Sequence, residues 1–164
     1  REIRDRYVKL DTAPEQKLDR TRLAARLARS NVEASIDRVS AEPGTTAERL
    51  RTLSGILASS HRLAHALMAL EAGLASSHPV PARAEFTPFA NDVEMTLYSL
   101  AAALRGSPLH REALPDLRED HRMLANSGDS LTERHALVNV ETDRITNSLN
   151  TLSEDLMRWI ATGR

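Results

Sequence analysis

Leu131, Val138, Ile145, Leu149, Leu152, Leu156 and Trp159 recur at spacings of three, four and seven, which predicts a long helix buried along one side. Cut into that stripe is a polar run, Glu141-Thr-Asp-Arg-Ile-Thr-Asn-Ser-Leu-Asn-Thr-Leu152. A stripe interrupted in this way either flanks solvent or carries a polar layer between helices. The rest of the chain has to supply helices for it to pack on. With one Trp, two Tyr and two Phe, the core must be built from Leu, Ala, Val, Ile and Met. Such side chains suit close-packed helices, and no β-branched run alternates with period two. The fold class expected is all-α.

Start and stop signals divide the chain. Thr12-Ala-Pro-Glu15, Thr45-Thr-Ala-Glu48 and Ser130-Leu-Thr-Glu133 each set a hydroxyl three residues ahead of a glutamate, the pattern of a capping box. Thr87-Pro88 and Leu114-Pro115 place proline near a first helical turn. Stops fall at Pro43-Gly44, His78-Pro-Val-Pro81, Gly106 and Asn126-Ser-Gly128. These signals predict helices near 13–41, 46–77, 88–105, 115–126 and 130–162, with a further turn near 108–113. The second has two adjoining apolar stripes, Ile56, Leu63, Leu67, Leu70, Leu74 and Leu50, Leu53, Leu57, Ala64, as an inner helix needs. Short connections favour antiparallel neighbours. The expected architecture is an antiparallel bundle of four long helices plus one short helix, over 13–162.

Several chemistries are excluded. Without cysteine there is no disulfide or thiolate metal site. A net charge of −1 argues against nucleic acid as partner. No run reaches the roughly 18 apolar residues of a membrane span. His61 and His65 stand one turn apart, but Arg62 occupies the position where a zinc protease carries its glutamate. No glutamate has a histidine three residues on, so the di-iron bundle pattern fails. No catalytic residue, metal or cofactor is expected. His121, between Leu117 and Leu124, reads as a hydrogen-bonded core histidine that burial drives neutral.

Two polar groupings remain. Asn31 and Glu33 on the first helix, His61 on the second, and Glu141, Asp143 and Arg144 on the last are candidates for an interhelical polar layer that sets register. Arg22, Arg26 and Arg29, with Lys17 and Arg20 and only Asp19 opposing, form a basic face suited to anionic lipid headgroups. Arg1, Arg4, Arg6 and Lys9 extend it, so residues 1–12 read as a basic lead-in from a missing membrane portion. The chain opens at Arg1 without methionine, which reads as a piece of something longer. Val32, Ile36 and Val39, with Leu23 and Leu27, predict an apolar patch able to pair with a second copy.

Ala25-Arg-Leu-Ala-Arg-Ser-Asn-Val-Glu-Ala-Ser-Ile-Asp-Arg38, Ala58-Ser-Ser-His-Arg-Leu63 with Ala66-Leu-Met-Ala-Leu-Glu71, and Glu141-Thr-Asp-Arg through Leu-Asn-Thr-Leu152 resemble the C-terminal region of the fusaric acid resistance (FUSC) family. The likeness covers most of 15–160 and is weak over 78–128. It implies an efflux transporter of the aromatic-acid exporter type in a bacterial inner membrane, with this segment on the cytoplasmic side. The domain would have a structural or regulatory role, its partner would be its own membrane portion, and no functional residue carries over. A free-standing adaptor or signalling bundle is the alternative.

Overall fold

The computed structural model describes residues 1–9, 15–74, 82–127 and 133–161. It is all-helical over these residues, with six α-helices: α1 (Glu2–Lys9), α2 (Glu15–Ser40), α3 (Ala47–Leu74), α4 (Phe86–Leu104), α5 (Leu117–Asn126) and α6 (Glu133–Ala161). A single 3₁₀ turn, Arg111–Ala113, precedes α5. The expected capping boxes at Thr12 and Ser130, the stop at His78–Pro81 and the stop glycine Gly128 fall outside the described residues.

The remaining helix ends have local causes. At α3 the cap is Thr46 rather than Thr45: its hydroxyl accepts from the Arg49 N–H at 3.2 Å. Thr45 instead donates to the Val39 carbonyl at 2.8 Å, tying the Pro43-Gly44 turn to the end of α2. Asp116 caps α5 by accepting from the N–H groups of Arg118 and Glu119. At the end of α4, Ser107 N–H reaches Ala102 O and Gly106 N–H reaches Ala103 O. This paired closure needs a left-handed residue, and Gly106 supplies it with φ 105°.

α3 and α6 form the spine. Arg49 lies over the Trp159 ring at 4.8 Å, Gly55 faces Asp155 and Gly73 faces Leu137, so the two helices run antiparallel along their length. Small residues permit the approach. A Cβ on Gly55 would stand 2.5 Å from Asp155 Oδ2, and one on Gly73 would overlap Leu137. Ser59 and Ala66 of α3 and Thr142, Thr146, Ser148 and Ser153 of α6 are buried. The polar run of α6 is thus two-sided, with Glu141, Thr142, Thr146 and Ser148 buried and Arg144, Asn147, Asn150 and Thr151 exposed. Its hydroxyls are satisfied within the helix, each donating to the carbonyl four residues back: Thr142 to Val138, Thr146 to Thr142, Ser148 to Arg144 and Ser153 to Leu149, at 2.7–2.9 Å. Val138, Ile145, Leu149 and Leu156 fill the core with Leu63 and Leu70 of α3, Phe86, Phe89 and Leu100 of α4, and Leu117 and Leu124 of α5.

The segment read as a basic lead-in is part of this packed unit. Tyr7 is fully buried, donates to the Leu70 carbonyl at 2.6 Å and stacks 5.2 Å from Phe86. Arg1 and Arg4 both pair with Glu94 of α4, at 2.9 and 3.1 Å. Their charge holds α1 to α4.

α2 is attached differently. Its chief neighbour among the described residues is α3, with Arg22 on Glu71 (2.6 Å) and Glu33 on His61 (2.9 Å), a pairing that makes it antiparallel to α3. Leu23 and Leu27 are 60% and 58% exposed and Val32 is 44% exposed.

Candidate functional site

The six residues expected in one polar layer divide among four places. Glu33 and His61 meet across α2 and α3, part-buried, with Arg29 3.8 Å from the same Glu33 oxygen. Asn31, two residues away on α2, is exposed, so it lies outside any buried layer. The reason is the narrow seam by which α2 meets α3. Glu141 is buried at 3% exposure, and its described partner is Arg144 at 2.7 Å, one turn along α6. Asp143 faces α5 instead, bound by Arg118 at 2.6 Å. Arg118 also bonds Asn147, and Asp143 stands 3.7 Å from His121 Nε2.

His121 sits where a core histidine was expected. Thr142 spends its proton on the Val138 carbonyl, so its oxygen accepts from His121 Nδ1 at 3.1 Å. Burial lowers the His121 pKa, against the pull of the Asp143 carboxylate. The row Thr142, His121, Asp143 superficially suggests an activated nucleophile. Thr142, however, has no exposed surface and its hydroxyl is committed to its own helix.

Of the basic face, Arg22 is bound to Glu71 and Asp19, and Arg29 approaches Glu33. Arg26 is exposed. Lys17 lies outside the residues whose side chains are described. Two of the three named cations therefore serve the attachment and local balance of α2. The histidine pair one turn apart divides too, His61 toward Glu33 and His65 toward solvent. Among the described residues no three His, Asp or Glu side chains gather as a metal site.

Two features were not anticipated. Arg83, in the proline-containing connection before α4, donates to the carbonyls of Leu124 (2.6 Å) and Ser127 (3.2 Å) at the end of α5. It also reaches His135 O and Asn139 Oδ1 of α6, at 3.4 and 2.8 Å. A cation on the last carbonyls of a helix answers both their unmet bonding and the helix dipole. Only its proximity to Pro81 and to a helix start marks it in sequence, and neither signals a hub. The second is Asp120 of α5. Burial first, then hydrogen bonding to Asp92 and the charges of Asp92, Asp116 and Glu119, push its pKa up to about 6.

That shift has a definite sign. A carboxyl whose pKa rises from 3.8 to about 6 on folding takes up protons as the chain folds. Its ionised form costs stability, with the cost entering as pH rises from about 4 to 6 and fully present above that. Asp120→Asn is expected to raise stability at pH 7.5 by about 1 kcal/mol, after allowance for solvent screening, and to give no gain at pH 3.5. Urea titrations at the two pH values measure the difference.

Two concavities lie on the surface of the described residues. One cleft, of about 330 Å³, is lined by Thr96, Arg111, Asp116, Asn150 and Glu154 among others. Its charges are of both signs, and Arg111 and Glu154 already face each other at 3.7 Å. The other is a groove of about 310 Å³ beside α2, with Val32, Ile36 and Val39 as one wall, Leu53, Ile56 and Arg49 of α3 as floor, and Trp159 of α6 beyond. Apolar side chains dominate it, as in the helix-in-groove mode of recognition. Leu23 does not belong to this wall. Nine residues, two and a half turns, separate it from Val32, so the patch expected from sequence is split between opposite flanks of α2.

The chain matches no protein family, no curated protein and no solved structure. Among the described residues no helix is long and apolar enough to cross a membrane.

Proposed function

We propose that this chain is a non-catalytic helical assembly domain, borne on the cytoplasmic side of an inner-membrane efflux protein of the fusaric acid resistance type. The observation that carries the assembly role is the open groove beside α2. A 26-residue helix hung on one neighbour by ion pairs, with apolar side chains on both flanks, is built to be completed by something else. The membrane parent is supported by the likeness of the runs at 25–38, 58–71 and 141–152 to that family. In this reading α2, α3, α4 and α6 form an antiparallel bundle, α5 is the short fifth member, and α1 joins the bundle to what precedes it. Anionic lipid is not its chief partner, because Arg22 and Arg29 already face carboxylates. Fractionation of cells producing the native gene product, detected through a tag on this domain, tests the reading. Recovery in the inner membrane, with the tag shielded from externally added protease, is the expected result. A product recovered whole from the soluble fraction would replace it with a free-standing adaptor bundle.

A further inference from the structure

We infer that the groove beside α2 is filled by α2 of a second copy, lying antiparallel to the first and reciprocally occupying its groove. The inference deepens the assembly role proposed above and rests on it only in taking assembly to be the domain's work.

Surface area is the first argument. The chain exposes 10148 Å², whereas a compact monomer of 18.1 kDa exposes about 8,100 Å². An ordinary stable interface takes ~800 Å² from each partner. Part of the chain's exposed surface is α2, exposed along nearly its whole length from Asp19 to Ser40.

Charge is the second. Arg22, Arg29 and Glu33 are engaged within the chain, which leaves Arg20 and Arg26 exposed on the first half of α2. On the second half and the turn that follows, Asp37 and Glu42 are exposed against Arg38. Two such helices set parallel place like charges together. Set antiparallel about Asn31 and Val32, they place the basic half of each beside the acidic half of the other. A two-fold interface of this kind is self-complementary and closes at two copies.

Shape is the third. On the groove flank, Ala25 and Ala28 precede Val32, and Ile36 and Val39 follow it at helical spacing. An antiparallel copy centred on Val32 sets the small residues of one helix against the larger ones of the other. Its edge covers Leu53, Ile56 and Trp159. Leu23 and Leu27, on the opposite flank, do not line this groove.

The chain has no cysteine, so engineered thiols report contact without background. Sedimentation equilibrium of the 164-residue chain is expected to give a dimer, and Val32→Arg to raise its dissociation constant at least tenfold. Val32→Cys is expected to form a disulfide-linked dimer under mild oxidation, since the α-carbons of residues near the two-fold axis come within bridging reach. Met123→Cys, exposed on α5, is expected to remain monomeric. A chain monomeric throughout, whether or not it binds anionic vesicles, would overturn the inference. So would a dimer indifferent to Val32→Arg but dissociated by Leu23→Arg. These outcomes leave the fractionation result untouched, so a failed dimer and a failed membrane parent are told apart.

Discussion

Tyr7→Ala is expected to destabilise the fold by about 3–5 kcal/mol, the cost of emptying a fully buried aromatic site. The ring packs on Phe86, the hydroxyl donates to the Leu70 carbonyl, and the Tyr7 carbonyl accepts from Ala82 N–H at 3.2 Å. The side chain thus joins α1 to the body of α3 and to α4, while the backbone of the same residue holds the approach to α4. Tyr7→Phe separates the contributions, since it keeps the ring and removes only the hydrogen bond, at about 1 kcal/mol. Urea denaturation of the three proteins measures both steps. An alanine variant within 0.5 kcal/mol of the parent, roughly what a surface site shows, would mean that α1 is an appendage to the domain.

Arg83→Met is expected to cost about 2–3 kcal/mol, because it takes a charged donor from several acceptors at once. Leu124 and Ser127 carbonyls lose the group that closes α5, and Asn139 loses its link from α6 to the same point. Methionine keeps much of the aliphatic stem, so the loss reports the guanidinium more than the packing. Lysine is expected to recover only part of it, since one ammonium cannot span acceptors on two helices as the planar fork does. Differential scanning calorimetry of the methionine and lysine variants orders the three proteins. Equal melting temperatures for methionine and arginine would remove Arg83 from the account of how α5 is held.

What could be read in advance followed the apolar periodicity. Val138, Ile145, Leu149 and Leu156 were placed on one stripe of α6, and all four are at most 4% exposed. Where the punctuation is described, the helix ends fall close to it: α2 ends and α3 begins either side of Pro43-Gly44, and α4 ends just before Gly106, because glycine, proline and hydroxyl caps act locally. The polar run of α6 was legible as an anomaly but not as a solution. Whether Thr142, Thr146 and Ser148 face water or a neighbour depends on how near α3 comes, and that closeness is set by Gly55 and Gly73, far earlier in the chain.

The misplacements share one cause. α1 contributes little apolar signal beyond Ile3, Tyr7 and Val8, and Arg4, Arg6 and Lys9 make it look basic, so charge suggested a lead-in where a buried tyrosine decides the matter. Asn31 was set in a buried layer beside Glu33, whereas α2 packs chiefly on α3 along a narrow seam that leaves Asn31 exposed. Leu23 and Leu27 were grouped with Val32 as apolar positions of one helix, yet they lie on opposite flanks. Sequence periodicity says which residues share a face, and the number of neighbours says which faces are covered.

The uncovered state of α2 is the point on which the functional reading turns, and hydrogen exchange followed by mass spectrometry probes it directly. At low protein concentration, α3 and α6 are expected to exchange last, and α2 orders of magnitude sooner, through local opening that leaves the spine intact. Raising the concentration should slow exchange over residues 25–39 and leave α5 unchanged. Protection of α2 equal to that of α6, at every concentration, would contradict the account.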